Sequence, residues 1–275
     1  MKLLSHYRWS LLWLLLPVGL GVVLLQLQRE WYEPPALLPD MRAIDQVDER
    51  KSTFVEFLRP LIDERNRELL AEREQLARLH RRYLEQGQLS RGESLALQRL
   101  ANRKRVEYAP QEPDFWLTLD RRLDRLPPSL VLAQAAKESG WGRSRFAREG
   151  NNLFGQWCFQ PGCGMVPGRR APGRRHEVAS FEHPRQAVAS YFRNLNTHPT
   201  YSDLRKQRQR ARWQGEPAGG IELASGLLRY SERGQVYVDE LRSLIRQNQF
   251  QELDAEMAPD PNAQLVAIVT TGSEA

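Results

Sequence analysis

The stretch "VLAQAAKESGWGRSRFAREGNNLFGQW" (Val131–Trp157) decides how this chain is read. Its first third is apolar, and Val131, Ala135 and Glu138 fall at i, i+4 and i+7 on one helical face. Glu138 therefore lies on the stripe that should be buried. Gly140 follows as a residue suited to the left-handed backbone that ends a helix. The negative end of the helix dipole disfavours an ionised carboxylate there, and desolvation beside Trp141 acts in the same direction. Both effects raise the carboxyl pKa, and a carboxyl kept protonated toward neutrality is what general acid catalysis needs. The competing role for Glu138 is a salt bridge to Arg143 or Arg145 at a frayed helix end.

The sequence around this stretch reads as mostly helical. Pro127 and Pro128 end one element, and Ser129 is placed to cap the helix that follows. From Glu149 to Pro184, Gly, Pro and Arg dominate, with a β-like piece at His176–Phe181, so loops and a small hairpin interrupt the helices. Apolar helical spacing returns at Pro184–His198 and at Tyr237–Asn248. Upstream, residues from about 49 are dense in Glu, Arg, Leu and Gln, all good helix formers. Pro60 predicts a bend or restart, and Ser90 a cap after the break at Glu85–Ser94. Leu69, Leu76 and Tyr83 recur every seven residues, but Glu72 breaks the intervening pattern, which favours helices packed on the rest over a coiled coil.

The N-terminus fixes the expected compartment. Lys2 and Arg8 precede an apolar run from Leu11 to Leu27 interrupted only by Gln26. Seventeen residues at ~1.5 Å rise reach about 26 Å, enough to span a bilayer core with Trp9 and Ser10 at its edge. No small residues mark a cleavage site, so the run is expected to stay as a single-pass anchor in the cytoplasmic membrane, with everything beyond Arg29 outside the cytoplasm (the periplasm). The plan is then an anchor at 1–30, a Pro-rich linker at 31–48, a helical region at 49–110, a domain at 111–250, and an acidic, disordered tail at 251–275.

Net charge is +6, and all 40 basic residues precede Gln251 together with 29 of the 34 acids, leaving +11 on residues 1–250. A basic body seeks an anionic partner. An outward location removes nucleic acid and leaves a membrane surface or a cell-wall polymer. The two cysteines, Cys158 and Cys163, are too few for a disulfide scaffold but suit one local bridge in an oxidising compartment. His176 and His183 lack regular spacing with them, so no metal is expected.

The string quoted above resembles the glucosaminidase domain of peptidoglycan hydrolases in glycoside hydrolase family 73. E-S-G-W-G (Glu138–Gly142) followed by N-N-L-F-G (Asn151–Gly155) is the specific signal, and it differs from lytic transglycosylases. "GQWCFQPGCGMVP", "LLRYSERGQVYVDEL" and "FVEFLRPLI" resemble the Bax-type group. The resemblance is strong over 128–248 and weaker over 49–127. It implies an α+β, mostly α, lysozyme-like domain with a small β-hairpin lobe, and hydrolysis without a cofactor of the β-1,4 bond after N-acetylglucosamine in peptidoglycan glycan strands. It implies Glu138 as the general acid and a second carboxylate on the hairpin, for which Glu177 fits best and Glu182 is the alternative. It assigns Tyr230, in a segment where this chain departs from the family, to orienting the acetamide or the Glu, and leaves Tyr237 to the core. Trp141, Asn152, Phe154 and Trp157 are expected to line the substrate groove, Asn151 to shape it, and Arg169, Arg170, Arg174 and Arg175 to attract stem-peptide carboxylates. A retaining, an inverting or an acetamide-assisted route each remains compatible with these residues.

Overall fold

A computed structural model describes residues 37–257 and 260, apart from 169, 171, 172, 174 and 217. The expected anchor at 1–30, Arg169, Arg174 and most of the tail lie outside the described residues. Among the described residues no helix is long and apolar enough to cross a membrane.

Helix-forming composition upstream yields α1 (Val47–Gln86), a single 40-residue helix that continues through Pro60. The expected restart does not occur. Pro60 is exposed, so the carbonyl that loses its amide partner faces water, while Phe54, Leu58, Ile62 and Leu69 hold both halves against the core. Gly87 ends α1 in the left-handed region, and Ser90 with Glu93 forms a full capping box on α2 (Arg91–Arg103). α1 and α2 are not a separate region: one hydrophobic core runs from Met41 through Phe54 and Leu100 to Leu241 and Phe250, and the described residues from 38 onward form one compact unit.

After α3 (Pro113–Arg122), the middle of this core is α4 (Pro128–Ser139), buried on almost every side until Lys137. Ser129 does not cap α4, because the helix already starts at Pro128. Its backbone N–H and hydroxyl instead donate to Asp254 at 2.9 and 2.6 Å. Asp254 sits at the end of a 3-10 turn, Phe250–Asp254, and also accepts from the Gly220 N–H at 3.0 Å. Asp260 pairs with buried Arg73 at 2.6 Å, within a network where Arg73 and Arg212 also meet Asp120. The described part of the tail is thus ordered by carboxylates that satisfy buried donors, a correction to the disorder inferred from its composition.

α5 (Arg145–Gly150) leads into a three-stranded antiparallel sheet, β1 (Trp157–Cys158), β2 (Gly164–Met165) and β3 (Glu177–Ala179), with β3 in the centre. Trp157 pairs with Val178 and Cys158 with Glu177, while Gly164 pairs with Ala179. α6 (Pro184–Thr197), α7 (Ser202–Trp213), the short α8 (Gly220–Leu223) and α9 (Gln235–Gln247) complete the helical body. The architecture is mostly helical with one small β lobe, the class expected from the sequence.

Candidate active site

Glu138 is the penultimate residue of α4. Gly140, Trp141 and Gly142 then take φ of 58°, 58° and 76° in succession and turn the chain sharply. Ser139 braces that turn, donating to the Ala135 carbonyl at 2.6 Å and accepting the Gly142 N–H at 2.8 Å. Glu138 is thereby left mostly buried but open on one side. Burial pushes its carboxyl pKa up, against smaller opposing effects of a hydrogen bond from Tyr237 and the charge of Lys137. It makes none of the salt bridges weighed for it with Arg143 or Arg145.

One carboxyl oxygen, Oε1, accepts the Tyr237 hydroxyl at 2.8 Å. Among the described residues no donor touches Oε2, which faces Gly155: a Cβ built there would come within 3.3 Å of it. Gly155 has φ of 63°, so both backbone and space call for glycine. Tyr237 lies on the buried face of α9 with Val238, Leu241 and Ile245, and its ring stacks on Tyr230 at 5.7 Å. The tyrosine that reaches Glu138 is therefore Tyr237, left to the core by sequence reasoning. Tyr230 donates instead to the Phe154 carbonyl at 2.8 Å. A tyrosine on an otherwise apolar helix face was the available signal, since a buried phenol needs a polar partner.

The expected substrate residues separate. Phe154 is fully buried and stacked on Tyr191 at 4.1 Å, so it is core. Trp141 packs edge-on against Phe54 and Phe250, with Lys51 over its ring. Buried Asn152 accepts from the Phe154 and Gln156 N–H groups and donates to the Gln156 and Ala179 carbonyls, which ties the loop to β3. Asn151, in the left-handed region, donates to the Phe181 and Glu182 carbonyls. Only Trp157 presents a free face: it is 60% exposed and stacked on His176 at 4.2 Å. Exposed Phe159 stands on the next loop, a position the sequence did not single out.

The two hairpin carboxylates are both engaged elsewhere. Cys158 and Cys163 are joined in a disulfide that closes a short loop. Glu177 Oε1 accepts the Gly162 N–H at 3.1 Å and Oε2 the Gly164 N–H at 2.9 Å. Those two amides hold its pKa below the ordinary value. Glu177 is thus an anion clamped by the disulfide loop rather than a free partner to Glu138. Glu182 is exposed and accepts from the Gln186 side chain at 3.1 Å. Cys158, Cys163 and Glu177 lie together, but the sulfurs are spent on the bridge.

The profile described as Mannosyl-glycoprotein endo-beta-N-acetylglucosaminidase, of the glucosaminidase family, matches residues 118–250. The chain is also 35% identical over 213 residues to Protein bax of Escherichia coli (strain K12), covering 77% of this chain and 74% of that one. The chain belongs to the Bax-type glucosaminidase family. A solved catalytic domain of the autolysin Auto from Listeria monocytogenes is 17% identical, with 78% of this chain and 93% of that chain covered and a TM-score of 0.40, too loose a likeness to inform the site. Within the matched residues, Glu138 is the one described Glu whose pKa is raised above its ordinary value.

Proposed function

We propose that this protein is a membrane-anchored peptidoglycan hydrolase that cleaves the β-1,4 bond after N-acetylglucosamine, with Glu138 as general acid. The observation that carries the assignment is the asymmetry of the Glu138 carboxyl. Oε1 is held by Tyr237, while Oε2, beside Gly155, has no hydrogen-bond donor among the described residues, and burial favours the protonated form. Proton transfer from Oε2 to the leaving glycosidic oxygen needs that combination. Asp254 also has a raised pKa, but its oxygens are spent on the α4 N-terminus and Gly220.

With both Glu177 oxygens bound by loop amides, attack by the substrate's own acetamide is the favoured route. It requires the acid and a group that steadies the acetamide, not a second free carboxylate. Glu177 joins the reaction in this reading only if the disulfide loop releases it. Trp157, flat and exposed, supplies a stacking face for a sugar ring. The Cys158–Cys163 bridge supports an oxidising compartment and so an outward-facing domain.

The test is digestion of purified peptidoglycan by the full chain in detergent, with products read by mass spectrometry. New reducing-end N-acetylglucosamine supports the reading. Anhydro-sugar ends would make the protein a lytic transglycosylase, and no cleavage would make it a glycan-binding or scaffold protein.

A further inference from the structure

Behind Glu138 lies a buried chain of hydrogen bonds that runs away from the substrate side. The Tyr191 hydroxyl donates to Gln134 Oε1. Gln134 Nε2 donates to the Tyr237 hydroxyl oxygen at 2.9 Å, and that hydroxyl donates to Glu138 Oε1 at 2.8 Å. Gln134 and Tyr191 are both fully buried, one on α4 and the other on α6. Gln134 lies one turn before Glu138 on the same helix, so it reaches Tyr237 but not the open side of the acid.

The direction of this chain follows from what each group can do. A phenol has one proton to donate, and a primary amide has separate donor and acceptor ends. Among the described residues, Gln134 Oε1 is the acceptor for the buried Tyr191 hydroxyl. Turning the amide over would leave that hydroxyl with a donor opposite it and its own proton without an acceptor, which is costly inside a protein. The amide therefore presents its N–H to Tyr237. With its oxygen already accepting, the Tyr237 hydroxyl is left to donate, and Glu138 Oε1 to accept.

We propose that Gln134 and Tyr191 are positioning residues that fix the polarity of the Tyr237 hydroxyl and so keep the Glu138 proton on Oε2, the oxygen beside Gly155, and off Oε1. The inference rests on Glu138 being the general acid. Without the relay the phenol is free to accept as well as donate. A proton on Oε1 then points into the body, where no glycosidic oxygen can receive it. The relay also explains why a polar Gln is kept in the most enclosed stretch of α4, between Ala133 and Ala135. An unpaired amide there would destabilise the helix packing, and a satisfied one gives the acid a direction.

The experiment compares the full chain in detergent with Gln134→Met, Tyr191→Phe and Glu138→Gln on a soluble glycan fragment, measuring kcat, KM, the pH profile and the melting temperature. Gln134→Met should lower kcat about tenfold with KM within about twofold, because the loss falls on proton delivery and not on binding. Its basic limb should move to higher pH, since a phenol that accepts from the carboxyl favours the protonated form. Tyr191→Phe keeps its ring on Phe154 and should show the same two signs at about threefold, which covers a Gln134→Met that fails to fold. The proposal is overturned if the folded variants keep kcat and the basic limb of the wild type, or if they lose activity through KM with the limb unmoved. A wild type without products, or a Glu138→Gln as fast as wild type, would overturn the acid assignment itself and is distinguishable from either result.

Discussion

Glu138 in the helical body and Glu177 in the β lobe are the same residue type in opposite circumstances. Burial raises the pKa of the first, while two loop amides lower that of the second. Glu138 has one oxygen anchored by a phenol and one left open, whereas Glu177 has both oxygens bound by backbone N–H groups. The contrast separates a proton donor from a structural anion: what touches a carboxylate, more than its place in a motif, sets its work. The body holds its acid by packing around α4. The lobe, with strands of two or three residues, holds its shape by a disulfide and a clamped charge.

The largest expected effect tests that separation. Glu138→Gln should reduce hydrolysis by about 10²–10⁴-fold, the usual contribution of a general acid. Glu177→Gln should cost about tenfold or less, because a clamp with one remaining acceptor still closes the loop. Equal losses in the two variants, measured on the same glycan, would end the distinction.

Acid should then weaken the body before the lobe. His80 is buried against Trp116, and burial lowers its pKa to about 4. The unfolded chain binds this proton near pH 6.5 and the folded one does not. Stability therefore falls as pH drops from 6.5 toward 4, by at most about 3 kcal/mol. Glu177, with its folded pKa depressed, contributes fully above its ordinary value and loses that contribution only below it. Urea unfolding across this range should show the loss, and His80→Phe should flatten it.

Asp254→Ala should lower global stability by about 2 kcal/mol in the same assay, since it strips the Ser129 and Gly220 donors of their acceptor. Reducing Cys158–Cys163 should have the smallest global effect, under about 2 kcal/mol and confined to the lobe, where hydrogen exchange at Gly162 and Gly164 should speed up.

The helix carrying Glu138, the stop at Gly140 and the cap at Ser90 were legible because each depends on residues within a few positions of one another. The contacts that complete the site were not. Tyr237 lies 99 residues from Glu138, and Asp254 lies 125 from Ser129. Tyr230 and Tyr237 sit seven apart in one segment, and only packing decides which faces the acid. Phe154 and Asn152 fall inside the motif that pointed to a substrate surface, yet the motif's order comes from burying them. Pro60 does not restart the helix, because its cost depends on whether the freed carbonyl meets water, a property of the folded face.

The most direct test of the account is a carboxyl ¹³C NMR titration of the intact chain, with Glu138 and Glu177 assigned by their Gln variants. Glu138 should titrate above the ordinary glutamate value of 4.5 and Glu177 below it. A Glu138 that titrates at or below Glu177 would contradict it.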